Sequence, residues 1–337
     1  MATLKTTYLG LELKNPIIIG ACDISQNTDN LKRIEEAGAA AVVYKSLFEE
    51  QIRLEQAQMQ DELEEYTERH AEMVTLFPNI EHAGPEEHLV NLRKAKESIS
   101  IPLIASLNAI YKESWLEYAK LIEETGVDGL ELNFYSVPKD TDISGVSIEK
   151  QQIEILQEIK NTVTIPVAVK LSSFYTNPLN FIYNIDKAGA DGLVLFNRFY
   201  QPDIEIAAEK HVSVHYLSSV WENKLPMRFA GLLYHYIAAG ICCNSGIHDG
   251  EDVIKMILTG ASCVQAVSTI YKNNISHISK MIKDVETWME GKNYKLITDF
   301  QGLLSKKSIN DPFVYQRAQY IEMLLNSEKQ LMRQTLR

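Results

Sequence analysis

One turn recurs along this chain, and it limits the possible folds more than any other feature. The segments EEAGAAAVV around Gly38, EETGVDGLEL around Gly126, DKAGADGLVL around Gly189 and LTGASCVQA around Gly260 each join a helix end to a glycine and then to a β-rich run. Glycine just past a helix adopts the left-handed conformation that stops it. The runs that follow are apolar at successive positions, the pattern of parallel strands covered on both faces. Similar runs interleave with them: NPIIIGA (15–21), IPLIASL (101–107), IPVAVKL (165–171) and GICCNSG (240–246). With runs near 41–45, 129–133, 192–196 and 263–267 they make eight strands. Helical patterns over 28–37, 85–99, 113–125, 148–161, 178–188, 249–258 and 275–290 fall between most of them. Crossovers between parallel strands are nearly always right-handed, so the alternation predicts closure into a (β/α)8 barrel. Segments 101–133 and 165–197 resemble each other most, Gly126-Val127-Asp128-Gly129 matching Gly189-Ala190-Asp191-Gly192. A doubly wound open sheet is the alternative, but eight strands without a G-x-G-x-x-G turn speak against it.

The 337 residues therefore read as one barrel domain with additions. A short hairpin around Gly10 precedes the first strand. An insertion over 47–84 carries a charged, Gln- and Glu-rich helix at 49–71, either a solvated arm or a partner surface. A second insertion, 198–225, follows strand six, where long loops on the C-terminal face of a barrel often act as lids. The tail, about 305–337, suggests a final helix packing on another subunit, as in a homodimer.

Net charge is −12, with no basic stripe, so the phosphate neutralisation that nucleic acids demand is missing. A small phosphorylated cofactor remains open, because backbone N–H groups can hold its phosphate. No apolar run approaches the ~18–20 residues that span a bilayer, and the N-terminus lacks the apolar core of a signal peptide. The four cysteines, Cys22, Cys242, Cys243 and Cys263, form no C-x-x-C motif and read as buried free thiols. The expectation is a cytoplasmic protein.

In such a barrel the C-terminal strand ends share one face. Three of them end in polar residues, Asn133, Lys170 and Asn197, and three Phe-Tyr pairs follow: Phe134-Tyr135, Phe174-Tyr175 and Phe199-Tyr200. Together they predict a pocket with a lysine, two amides and aromatic walls, suited to a flat electron-accepting ring. Lys170 needs a partner, because an isolated buried ammonium is too costly. It could pair with a neighbouring carboxylate, stabilise charge on a reduced flavin, or form a Schiff base. Lys45, in VVYKS beside Ser46, poses the same choice; two strand-end lysines suit an anionic cofactor better than one imine. Ser245-Gly246 after strand seven and Ser268-Thr269 after strand eight lie where barrels grip phosphate, although either could be a plain helix cap. Asn133 and Asn197 can donate and accept toward a ring edge, or cap turns. Ser136 and Tyr135 are candidates for proton transfer. His211 and His215 have the i, i+4 spacing of helical metal ligands, but HVSVH reads as a strand with no third ligand near. His248 reads as a loop residue.

The segments KNPIIIGA, VVYKS, GLELN, IPVAVKL, GLVLFN and NSGIHDGEDVIKMILTGASCVQ, followed by Ser268-Thr269, occur in the order and spacing of a known family. The chain resembles the dihydroorotate dehydrogenases from about residue 6 to 300, and more closely a dihydroorotate dehydrogenase-like branch of bacterial flavoproteins. The resemblance implies a flavin-binding barrel in which FMN takes hydride from dihydroorotate during pyrimidine biosynthesis. It implies that Lys45 and Lys170 contact FMN, that Asn133 and Asn197 face flavin and substrate, and that Ser245-Gly246 and Ser268-Thr269 hold the phosphate. Gly20-Ala21-Cys22 would form the small-residue turn against the flavin. Soluble relatives use fumarate or a partner subunit as electron acceptor, and no iron–sulfur cysteine cluster occurs here, so any such relay lies on another chain. Three departures stand out. The catalytic loop reads Asn133-Phe134-Tyr135-Ser136-Val137-Pro138 where the family has N-L-S-C-P-N or its serine form, so Ser136 takes the base position without the following Pro-Asn. The family's N-S-x-G segment has no counterpart in 66–84, and LSSVWENKLP replaces a Gly-rich stretch. Each missing polar partner would cost a polar ring about 1–3 kcal/mol, which makes a less polar substrate a rival.

Overall fold

The computed structural model describes residues 2–53, 85–137, 140–213 and 216–326. The strands run β1 (Thr6–Tyr8), β2 (Leu11–Leu13), β3 (Ile17–Ile19), β4 (Ala41–Val43), β5 (Leu47–Phe48), β6 (Leu103–Asn108), β7 (Gly129–Phe134), β8 (Val167–Leu171), β9 (Gly192–Leu195), β10 (Pro202–Glu205), β11 (Lys210–Ser213), β12 (Gly240–Asn244) and β13 (Cys263–Ala266). Neighbours in the main sheet are β3, β4, β6, β7, β8, β9, β12 and β13, all parallel, and β13 returns to β3. The expected eight-stranded barrel is therefore closed. β5 pairs with the end of β6, past a break in the second strand at 44–46.

The surrounding helices are α1 (Thr28–Glu36), α2 (Glu86–Ser98), α3 (Lys112–Glu123), α4 (Gly145–Thr162), α5 (Pro178–Lys187), α6 (Lys224–Leu233), α7 (Gly250–Thr259), α8 (Ser268–Asn273), α9 (His277–Gly291) and α10 (Arg317–Leu325). The recurring glycines have φ of 100°, 83°, 99° and 119°, the left-handed stop expected of them. The internal similarity has a structural cause. Asp128 Oδ2 accepts from Leu103 N–H and from Lys96 Nζ, while Asp191 Oδ2 accepts from Val167 N–H and from Lys160 Nζ. Glu35 and Glu123 likewise accept the N–H groups of Ser100-Ile101 and Thr164-Ile165. Carboxylates on one βα unit thus pin the start of the adjoining strand.

The hairpin of β1 and β2 plugs the N-terminal end of the barrel. Tyr8 and Leu9 are buried against strand-start glycines: a Cβ on Gly192 would lie 2.7 Å from Leu9 and 2.8 Å from the Tyr8 ring, and one on Gly240 3.0 Å from Tyr8. Above the plug the lumen is packed by inward residues, Ile18, Ala41, Val43, Ile104, Ala168, Val194, Cys242 and Cys263. The outward faces of the strands form a larger core with the helices.

After strand six the structure adds two elements, the first of which bears out the strand reading of HVSVH over its described residues. Residues 202–213 form an exposed antiparallel ribbon, β10 with β11. Helix α6 then occupies 224–233, where no helix was expected, with Pro226 in its first turn. A proline in the first turn breaks no intrahelical hydrogen bond, so it is compatible with a helix start. His211 lies in β11, an exposed strand, and His215 lies outside the described residues. Of the helix expected at 49–71, residues 49–53 are helical and the rest lies outside the described residues. The tail helix is present as α10 and buries none of its side chains. Among the described residues no helix is long and apolar enough to cross a membrane.

Candidate functional site

The site is built on the C-terminal ends of the barrel strands. Strand alternation and the pairing of Asn133 with Lys170 turn Glu131, Asn133 and Lys170 toward the lumen. Lys170 is 7% exposed, and its Nζ lies 3.4 Å from Glu131 Oε1. Glu131 is 1% exposed, and its Oε2 accepts from Gln265 Nε2 on β13 at 2.5 Å. Lys170 therefore has the neighbouring carboxylate that its burial demands, and it still lines a cavity. Glu131 Oε1 and Gln265 Oε1 are buried without a hydrogen-bond donor.

That cavity, about 120 Å³, is lined by Lys170, Asn197, Gln265, Ser245, Gly246 and Ser268. A second cavity of about 210 Å³ is lined by Cys22, Lys45, Ser46 and Tyr271. Ala21, Arg198, Tyr200 and Ser268 line both, so the two form one elongated site. Lys45 Nζ lies 2.9 Å from Asp23 Oδ1, and the Ser46 and Ser106 hydroxyls share a hydrogen bond of 2.7 Å. Gly20 is buried below Ala21, where a Cβ would lie 2.9 Å from Val267 and 3.1 Å from Gln265 Oε1. Burial pushes the Cys22 thiol up from its ordinary range.

The far wall is knitted by Ser218, from the second insertion. Its Oγ accepts from Gly246 N–H at 3.3 Å, and its own N–H donates to Ser268 Oγ at 2.9 Å. Lys272 Nζ donates to the Ser218 carbonyl at 2.7 Å, and His248 Nε2 lies 3.4 Å from Ser218 Oγ. Burial, aided by the Lys272 charge, holds His248 below the usual histidine range. Gly246 has φ +69°, and a Cβ there would lie 2.5 Å from Asn223 N, so only glycine fits. Thr269 does not share its neighbour's position. It is fully buried, and its hydroxyl donates to the His248 carbonyl at 2.9 Å.

The substrate-facing residues separate into two groups. Asn197 Nδ2 donates to Asn133 Oδ1, so the two amides act as one unit. Tyr135 Oη accepts from Tyr200 N–H at 3.2 Å, and Phe199 packs 4.7 Å from the Tyr135 ring and 4.9 Å from Phe174. The other two members of the Phe-Tyr pairs do not converge. Phe134 points outward onto Trp115, and Tyr175 stacks on Phe181 while donating to Gln152 Oε1. In the first two pairs one residue turns toward the rim and the other into the helical layer, while Phe199 and Tyr200 both stay at the rim. Tyr135 N–H donates to Asn133 O at 2.9 Å, and the turn places both Tyr135 and Ser136 against a neighbouring cavity of about 500 Å³ with Trp115, Ile143 and Ile155.

Sequence reasoning missed Glu131, Gln265, Arg198 and Ser218. The signal for the first two was available: each is a polar residue inside an apolar strand, the same argument that selected Lys170. Arg198 and Ser218 lay in an insertion with no strand pattern to orient them. Among the described residues no group of three His, Cys, Asp or Glu side chains could hold a metal.

Comparison with known proteins places this barrel. Residues 3–289 match the family described as dihydroorotate dehydrogenase, and the chain belongs to that family. It is 28% identical over 316 residues to the dihydroorotate dehydrogenase B (NAD(+)), catalytic subunit, of Thermoplasma volcanium, covering 91% of this chain and 100% of the relative. It is 27% identical over 304 residues to the corresponding protein of Methanocaldococcus jannaschii, covering 87% and 95%. A putative dihydroorotate dehydrogenase A (fumarate) of Aeropyrum pernix is 27% identical over 232 residues, covering 66% and 74%.

Proposed function

We propose that this chain is an FMN-dependent dehydrogenase that oxidises dihydroorotate to orotate in pyrimidine biosynthesis. The observation that carries the reading is the elongated site with the Lys170 ammonium on its floor and Gly246 and Ser268 in its far wall. Its residues fit FMN: a buried amide oxygen of the lining residue Gln265 without a donor, small residues at Gly20, Ala21 and Gly246, and the Lys170 ammonium at the cavity. When bound, FMN supplies the ring that accepts two electrons from the substrate. Lys170 would place positive charge at the electron-rich edge of that ring, where preorganised charge is worth most. Ser245, Gly246 and Ser268 would hold the phosphate, with Thr269 contributing through its backbone alone. Ala21, Cys22, Lys45 and Ser46 would flank the ring, and Lys45 with the Asn133–Asn197 pair would orient the substrate. Tyr135 Oη, tied to the rim through the Tyr200 N–H, would hold a proton near the substrate, with Ser136, which lines the same neighbouring cavity, as the alternative.

The relatives' names specify a catalytic subunit and NAD(+), which supports an electron acceptor on a separate subunit. The same reading takes a small-molecule substrate, a cytoplasmic location and a homodimer packed through the exposed tail helix. A second reading keeps FMN and changes the substrate to a less polar one, favoured by the aromatic rim of Tyr135, Phe174 and Phe199. A Schiff-base lyase is disfavoured, because imine formation needs a free amine and Lys170 is ion-paired. Anaerobic addition of dihydroorotate to the FMN-loaded protein tests the proposal. Bleaching of the flavin absorption is expected; bands that persist would overturn the dihydroorotate assignment and favour the second reading.

A further inference from the structure

Glu131 is an expensive residue for stability alone. It sits in the otherwise apolar run GLEL, inside the lumen, at 1% exposure. A buried ion pair is seldom better for stability than apolar side chains of the same size, whereas removing one partner is strongly destabilising. A carboxylate here therefore calls for a role beyond packing. Its contacts show what that role is. Glu131 is on β7, Lys170 on the adjacent β8, and Gln265 on β13, four strands round the barrel. The three side chains bridge the lumen and form the floor on which the cavity rests. Glu131 touches no part of the cavity itself, while both of its partners line it.

Beneath the floor lie Tyr8, Cys242 and Cys263. Burial pushes the Tyr8 hydroxyl and the Cys242 thiol well up, and the Glu131 charge adds to both shifts. Tyr8 and Cys242 thus stay neutral, and a phenol or thiol gives Glu131 no counter-charge. Among the described residues the carboxylate is balanced from above by Lys170, with Gln265 as its hydrogen-bond donor.

We propose that Glu131 is a positioning residue: it fixes the Lys170 ammonium at the cavity floor and offsets its charge, and so sets the reduction potential of the cofactor above it. The inference rests on the FMN reading given above. A bare ammonium under the ring would favour the reduced, electron-rich form of the cofactor strongly. The carboxylate behind it weakens that preference while keeping the ammonium in place. Gln265, held by Glu131 Oε2, is oriented by the same group.

The test is the midpoint potential of bound FMN, measured by dye equilibration, in the wild type, Glu131→Gln, Lys170→Met and the double variant, with the FMN dissociation constant for each. Glu131→Gln keeps the shape and removes one negative charge. It should favour reduced over oxidised cofactor at least tenfold, an upward shift of about 30 mV for a two-electron couple. Lys170→Met should shift the potential downward. The double variant should lie above Lys170→Met by a similar step. That comparison also serves if Glu131→Gln alone fails to fold, since the pair is then removed whole. A role confined to structure would not move the potential upward. An equal or lower potential in Glu131→Gln, or, if that variant does not fold, in the double variant against Lys170→Met, overturns the inference. Wild-type protein that takes up no FMN overturns the functional reading and this inference with it; wild-type protein that takes up FMN while the Glu131 variants leave the potential unmoved overturns the inference alone.

Discussion

The two ends of the barrel are closed in opposite ways. At the N-terminal end, Tyr8 and Leu9 fill the mouth by shape, and the strands supply absence: glycines at 129, 192 and 240 clear the space. At the C-terminal end, the same strands supply charge and hydrogen bonds: Glu131 and Asn133 above Gly129, Asn197 beyond Gly192, and Asn244 and Ser245 above Gly240. A strand of four to six residues thus carries stability at its start and chemistry at or just past its end. The difference teaches that mutations on one strand should divide cleanly by position, an expectation for barrels in general that here has named residues.

The largest effect that would break this division lies at Lys170. Lys170→Met should lower turnover with dihydroorotate by about 10²–10³-fold per bound flavin, the scale of removing one preorganised charge. A loss below tenfold would mean that the floor is structural. Gly192→Val tests the other end. Its added atoms meet Tyr8 and Leu9, and overpacking should cost about 2–3 kcal/mol in urea unfolding while the FMN affinity of the folded protein holds. A matching fall in affinity would erase the distinction between the ends.

Acid sensitivity sharpens the comparison further. His88 on α2 packs its ring against Tyr44, and burial, with the Lys45 charge, depresses it to about 4 from the ordinary 6.5. A histidine that binds its proton less readily when folded contributes fully above the ordinary value. That stability is lost as pH falls from about 6.5 toward 4, by about 1–2 kcal/mol after allowing for solvent screening. His88→Phe should flatten this part of the pH–stability curve; an unchanged slope would place the acid sensitivity elsewhere. The smallest effect is expected at Ser218→Ala, which unties Gly246 from Ser268. FMN should bind about fivefold more weakly, about 1 kcal/mol, with unfolding stability nearly unchanged. Unchanged affinity would show that the far wall holds without this tie.

Much of this architecture is legible from local pattern. The helix–glycine–strand turn has a direct backbone cause, and four positive φ values bear it out. Lys170 is legible because a charged group in an apolar strand must be answered by something. Glu131, two strand positions below its neighbour Asn133, obeyed the same rule and supplied the answer. What the pattern could not carry was direction. Phe134 and Tyr175 are aromatic residues at the right strand ends, but they face the helices, because the strand alternates beneath them. Ser218 was hidden for a different reason. Its role depends on three loops meeting, and nothing within its own segment encodes where the other two lie. Helix α6 was missed at the end of the same insertion, with Pro226 accommodated in its first turn.

The central claim is that the Lys170-floored cavity holds FMN. The most direct test is titration of cofactor-free protein with FMN, followed by flavin fluorescence, for the wild type and for Lys170→Met. The account predicts binding of one FMN per chain, weakened by the substitution. No uptake by the wild type, or equal uptake by both proteins, would contradict it.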